Sequence, residues 1–193
     1  ELGLVIVILL LYCGLTLAGH AYRVANVWNL FLNLDNQVNG IGGQMSIYCI
    51  MAVGMTAVII TGGIDISVAS ILALSGIAGA NIVQYMDPHT AWYIAIPVTF
   101  GLPILIGGLC GLANGAMVVG FRMHPFIVTL ATYSILRGLC PKFPSTVPIP
   151  GRQLPDAFIN FMGYRFGADI QLMPVIIMLV VVILGAIFLH TTT

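Results

Sequence analysis

The sequence predicts an all-α polytopic membrane protein, and three observations carry that prediction. Of its 193 residues 60% are hydrophobic and 6% are charged, where an ordinary soluble domain has about a quarter of its residues charged. Mean hydropathy is +1.08. The apolar residues also gather into six runs near the ~20 residues that a spanning helix needs, separated by short turn signals. Lys plus Arg number 6 and Asp plus Glu number 6, so the chain offers neither a basic footprint nor an acidic tail, and nucleic-acid binding is excluded.

The first expected span is Leu2 to Ala18. It opens inside an apolar run without an initiator Met, and the chain stops on Thr191, Thr192 and Thr193. The expectation is a fragment truncated at both ends, in which residues 1–193 form a single transmembrane domain. His20 to Gly43, with Arg23, Asp35 and five Asn, reads as an interfacial loop or a short amphipathic turn. The second span is Gln44 to Thr61, and the third, richer in small residues, is Ile66 to Met86. Asp87, Pro88 and His89 signal a turn. Ala91 to Phe121 is an over-long fourth segment with Pro97 and Pro103 in its first half, expected to be kinked or entered obliquely. Phe126 to Cys140 is a short fifth span, and five prolines between Pro141 and Pro155 exclude a regular element from the first half of the loop that follows. Gln171 to His190 is the last span. Four scattered cysteines, without a CxxC pair, read as packing residues.

Gly62-Gly63-Ile64-Asp65-Ile66-Ser67-Val68-Ala69-Ser70 is the sharpest feature, because it puts a carboxylate between two apolar runs. An ionisable group at membrane depth costs on the order of 3 kcal/mol on insertion scales and usually faces a cavity or a partner. Adjacent glycines permit a helix break, which a membrane tolerates where the broken backbone lines a cavity or is covered by protein. Asp65 and Ser67 therefore read as a substrate path or gate. A helix cap at Asp65, with the helix starting at Ile66, explains the same residues, and the two roles are compatible.

Gly107, Gly111 and Gly115 recur every four residues, making a flat face for close helix packing. Asn114, in the same stretch, must find partners when buried: it either pins two helices together or hydrogen-bonds a solute. After Pro125, suited to a first helical turn, Thr129, Thr132 and Tyr133 share one side of a helix and form a polar stripe fit for a hydroxyl-rich solute. Arg137, a turn further on, reads as snorkelling to the interface. There is no GxxxxGK[ST] motif, and HExxH, GxSxG and paired His/Cys clusters are missing too, so the sequence offers no P-loop, nucleophile or metal site.

Three stretches, GMTAVIITGGIDISVAS (Gly54 to Ser70), GLANG (Gly111 to Gly115) and PFIVTLATYSILRG (Pro125 to Gly138), resemble the permease subunits of simple-sugar ATP-binding-cassette importers of the ribose, xylose, arabinose and autoinducer-2 type. The resemblance implies a non-enzymatic, multi-pass permease of the bacterial inner (plasma) membrane, translocating a monosaccharide or similar small polyol by alternating access. It further implies a second permease subunit forming a homo- or heterodimer, an ATP-binding-cassette ATPase, an extracytoplasmic sugar-binding protein and surrounding membrane lipid. No cofactor is expected in this chain, ATP and Mg being held by the ATPase. A cytoplasmic N-terminus is also implied, which puts the loop from Pro141 to Ile170 outside. A secondary transporter coupled to an ion through Asp65 is the alternative the residues leave open.

Overall fold

The computed structural model describes residues 2–21, 36–142, 154–166 and 170–192. Helix α1 spans Leu2–Ala21, and a π-helical segment, Asn36–Gly42, leads directly into α2, Gly43–Ile60. Helices α3 (Val68–Val83), α4 (Trp92–Gly120) and α5 (Pro125–Leu139) follow, then the short α6 (Asp156–Met162) and the long α7 (Met173–Thr192). Each of the six expected spans is thus a helix. Four of them, α1, α2 with its π-helical lead, α4 and α7, are long and apolar enough to cross a membrane by length and composition, while α3 is a shorter apolar helix.

The distribution of side chains is that of a chain solvated by lipid. Large apolar residues point outward along α1, α2, α4 and α7, whereas the buried set includes Ser46, Ser67, Ser70, Ser75, Asn81, Asn114 and Thr129. In hydrocarbon, apolar side chains gain nothing by turning inward, and small or hydroxylated residues let backbones approach and bond across the bundle. Many of these hydroxyls also close on their own helix: Ser75 donates to the Leu72 carbonyl at 3.1 Å and Ser46 to that of Gly43 at 2.6 Å.

Packing divides the helices into two groups. Helix α3 packs on α4 and α5, which also pack on each other, whereas α2 packs on α7. Glycines set the tightest approaches. A Cβ on Gly79 of α3 would lie 2.7 Å from Pro103 Cγ of α4, and Gly185 of α7 faces Val53 of α2 with no room for a side chain. Pro103, expected as a kink, is therefore also a packing surface, and α4 runs through both of its prolines as one 29-residue helix. At ~1.5 Å per residue it exceeds the ~30 Å apolar thickness and must tilt.

The end of the bundle at the α3–α4 turn is closed by α6. Phe158 and Phe161 pack on Phe100 of α4 with ring centroids 5.7 and 6.0 Å apart. Asp156 meets His89 at 3.0 Å, and its backbone N–H donates to the Pro88 carbonyl. Beside it Arg165–Phe166 pairs antiparallel with Ile170–Gln171, and the Gln171 N–H donates to Asn39 Oδ1 of the π-helical lead. The sequence signalled neither α6 nor this ribbon in the polar loop. Of the residues expected as an interfacial turn, 36–42 are instead helical, because they extend α2 beyond its apolar run; Arg23 and Asp35 lie outside the described residues.

Candidate functional site

Helix α2 ends where its glycines permit. Gly62 adopts φ 75°, its N–H bonds the Ile59 carbonyl at 2.9 Å, and Gly63 N–H bonds the Val58 carbonyl at 3.0 Å. This pairing is a Schellman stop, with glycine at the left-handed position. The chain then runs non-helically to Ser67, and α3 begins at Val68. The helix expected from Ile66 thus starts two residues later, because Asp65 forms a local turn first. Its Oδ1 accepts from the Ser67 backbone N–H at 2.7 Å and from Ser67 Oγ at 2.6 Å.

From that turn a hydrogen-bonded relay crosses the bundle. Thr132 Oγ1 of α5 donates to Asn114 Oδ1 of α4 at 2.6 Å, and Asn114 Nδ2 donates to Ser67 Oγ at 2.9 Å. Ser67 Oγ passes its own proton toward Asp65. Every donor points the same way, toward the carboxylate, the arrangement in which each bond polarises the next. Ser67 and Asn114 are buried, so alternative partners in water are not on offer. Thr129, also buried, donates to the carbonyls of Ile64 and Phe126, both at 3.3 Å. The break is thereby tied to α5 a second time. Helix α5 itself starts at Pro125, capped by His124, whose Nδ1 accepts from Phe126 N–H.

Beside the relay lies a cavity of about 450 Å³, with Thr61, Asp65, Asn114 and Thr129 as its polar residues among apolar walls from Val58, Val118 and Pro125. Asp65 Oδ1 is fully engaged, while Oδ2 has no hydrogen bond among the described residues. A single free carboxylate oxygen, an amide and two hydroxyls in an otherwise apolar wall can orient a small hydroxylated solute. Among the described residues no Lys, Arg or His lines the cavity.

The sequence-predicted residues divide accordingly. Asp65, Asn114 and Thr129 line the cavity, with Gly63, Gly111 and Gly115 in its wall. Ser67 and Thr132 act behind them as relay members. Tyr133 is half-buried, outside the relay and the cavity wall, because Asn114 meets Thr132 and leaves the next position turned aside along the helix. Of the three glycines assigned to packing, only Gly107 faces another helix, 3.7 Å from Ile71; no neighbour lies within 4 Å of a Cβ at Gly111 or Gly115, whose small size leaves space for the cavity. Gly62 sits in open space as a turn residue. Arg137 is exposed, as snorkelling requires. Val58 and Val118 were not singled out from the sequence, where apolar wall residues cannot be told from lipid-facing ones, nor was Thr61, whose hydroxyl closes on the Val58 carbonyl at 2.7 Å.

The family described as "Branched-chain amino acid transport system / permease component" matches residues 38–193. Among curated relatives, the ribose import permease protein of Haemophilus influenzae is 40% identical over 119 residues, covering 62% of this chain and 34% of that protein. The fructose import permease protein of Bifidobacterium longum is 33% identical, covering 98% of this chain and 52% of that protein. The autoinducer 2 import system permease protein of Yersinia pseudotuberculosis is 32% identical, covering 74% and 41%. The chain spans about half the length of these relatives or less. No solved structure matches.

Proposed function

The chain belongs to the branched-chain amino acid transport system / permease component family of multi-pass membrane proteins, and from that membership we propose that it is the permease subunit of an ATP-driven importer for a monosaccharide or similar small polyol. The observation that carries the reading is the cavity at the α2–α3 break, where Thr61, Asp65, Asn114 and Thr129 are the polar residues in an otherwise apolar wall. Relatives named for ribose, fructose and autoinducer 2 import support a sugar over a branched-chain amino acid.

The mechanism is alternating access. A loaded extracytoplasmic binding protein docks on a permease dimer, ATP closes the paired ATPase subunits, and the cavity opens to one side and then the other of the bacterial inner membrane. This chain supplies the path and no covalent step. With the loop from Pro141 to Ile170 outside, the break and its cavity lie toward the cytoplasmic half, since α2 ends and α3 begins at the opposite end of the bundle from α6. The competing reading, an ion-coupled transporter, draws on the free oxygen of Asp65, which a cation would neutralise.

Competition in cells expressing the native permease and its partners tests the substrate class. Excess ribose, fructose or allose should suppress uptake of a labelled monosaccharide, and leucine or valine should not. Suppression by the amino acids alone would overturn the sugar assignment.

A further inference from the structure

We infer that Gly62–Gly63 is a hinge between two rigid helix groups, one made of α3, α4 and α5 and the other of α2 and α7, and that rotation about it changes the shape of the cavity. Four independent observations converge on these residues. The first is the packing: among the described residues α2 packs extensively on α7 alone of the other long helices, while α3, α4 and α5 all pack on one another. The second is how firmly each group is locked. Gly79 against Pro103 and Gly107 against Ile71 join α3 to α4, and Gly185 against Val53 joins α2 to α7.

The third observation locates the joint between the groups. From Ile64 onward the break belongs to the first group, because Thr129 holds the Ile64 carbonyl and Asn114 holds Ser67. Through Gly63 the backbone is still bonded back to α2, by Thr61 N–H to Ala57, Gly62 N–H to Ile59 and Gly63 N–H to Val58. The joint is thus the Schellman stop itself, whose two glycines carry the last bonds on the α2 side. Gly62 has nothing within 4 Å of where a Cβ would be, and its φ of 75° lies where glycine alone moves without strain. Hinges absorb large dihedral changes over a few such residues at the ends of elements.

The fourth is the position of the cavity across this joint. Val58 and Thr61 come from the α2 side, and Gly111, Asn114, Val118 and Thr129 from the other. Rotation about the joint moves one wall against the other and leaves the relay intact. At the far end α6, seated on α4, also touches α7 and so bridges the two groups away from the pivot.

The hinge rests on the transport reading for its driving force, and distances separate the two. Spin-label pairs are placed in the assembled transporter in lipid nanodiscs, with the native cysteines replaced, and measured without nucleotide and after trapping with ATP and vanadate. Tyr48 of α2 with Trp92 of α4 spans the groups; Leu72 of α3 with Leu109 of α4 lies within one, and all four are exposed. The Tyr48–Trp92 distance should shift on trapping while Leu72–Leu109 stays fixed, and Gly62→Ala should abolish the shift where Gly101→Ala, also in open space, preserves it. A Leu72–Leu109 change as large as the other, or a constant Tyr48–Trp92 distance in protein that hydrolyses ATP and transports, overturns the hinge. A substrate other than a sugar would overturn the transport reading and leave the distances to be judged alone. If Gly62→Ala fails to assemble, the two wild-type distances decide.

Discussion

Replacing Asp65 by Asn and by Ala separates its two roles, because its oxygens do different things. Oδ1 accepts both from Ser67 N–H and from Ser67 Oγ, at 2.7 and 2.6 Å, and Oδ2 is left for the cavity. In Asp65→Asn the two Ser67 donors still demand an acceptor, so the amide is forced to put its oxygen on Ser67 and its NH2 toward the cavity. The turn survives and the cavity face changes from acceptor to donor. Hydrogen bonds inside membrane proteins average about 0.6 kcal/mol and reach about 1.7. Losing both bonds in Asp65→Ala should therefore cost about 1–3 kcal/mol of stability. Charge-assisted bonds are roughly twice as strong as neutral ones, so Asp65→Asn should cost about half as much. A solute hydroxyl that donated to Oδ2 must instead accept from a neutral amide. That loss, about 1.4 kcal/mol, lowers uptake about tenfold. The assays are detergent unfolding of the purified permease and initial-rate sugar uptake at matched expression. Normal uptake by Asp65→Asn would refute the path role and leave only the turn. Equal destabilisation by Asn and Ala would refute the claim that geometry rather than charge holds the break.

Other outcomes follow from the same geometry. Asn114→Leu removes two relay bonds and should destabilise the permease by about 1–2 kcal/mol in the same unfolding assay. Gly79→Ala drives a methyl to 2.7 Å from Pro103 Cγ and should cost about 1–3 kcal/mol by overpacking, read as a lowered melting temperature. Gly111→Ala meets nothing within 4 Å, so stability should hold or rise by up to about 1 kcal/mol, while the methyl entering the cavity lowers uptake. His89→Gln removes an imidazole–carboxylate contact whose side chains are 87% and 55% exposed, and should shift stability by less than about 1 kcal/mol.

The helices were legible in the sequence because apolar length is a one-dimensional signal, and each boundary fell close to its span. Asp65 was legible for the opposite reason: a carboxylate among apolar residues has few explanations, and the structure puts it in a turn with Ser67 just before α3 and in the cavity wall. Asn114, Thr129 and Thr132 were visible as polar residues on apolar helices, but the relay of Thr132 and Asn114 through Ser67 was not, since it joins positions 18 and 47 residues apart. The glycine stripe misled because spacing by four marks a smooth face without saying whether a helix or a void adjoins it. Gly79 and Gly185, which do make the closest approaches, carry no such repeat and depend on which helix lies opposite. Helix α6 was hidden because the prolines before it signal no regular element, and it starts immediately after Pro155, its N-cap residue.

The central claim, that this permease moves a sugar at the expense of ATP, is tested most directly by reconstituting the native permease with its ATPase in proteoliposomes and adding the loaded binding protein. Accumulation of labelled sugar should require ATP and persist when ionophores collapse the H⁺ and Na⁺ gradients. Accumulation without ATP that vanishes with an ion gradient would contradict the account and make Asp65 an ion-coupling residue instead.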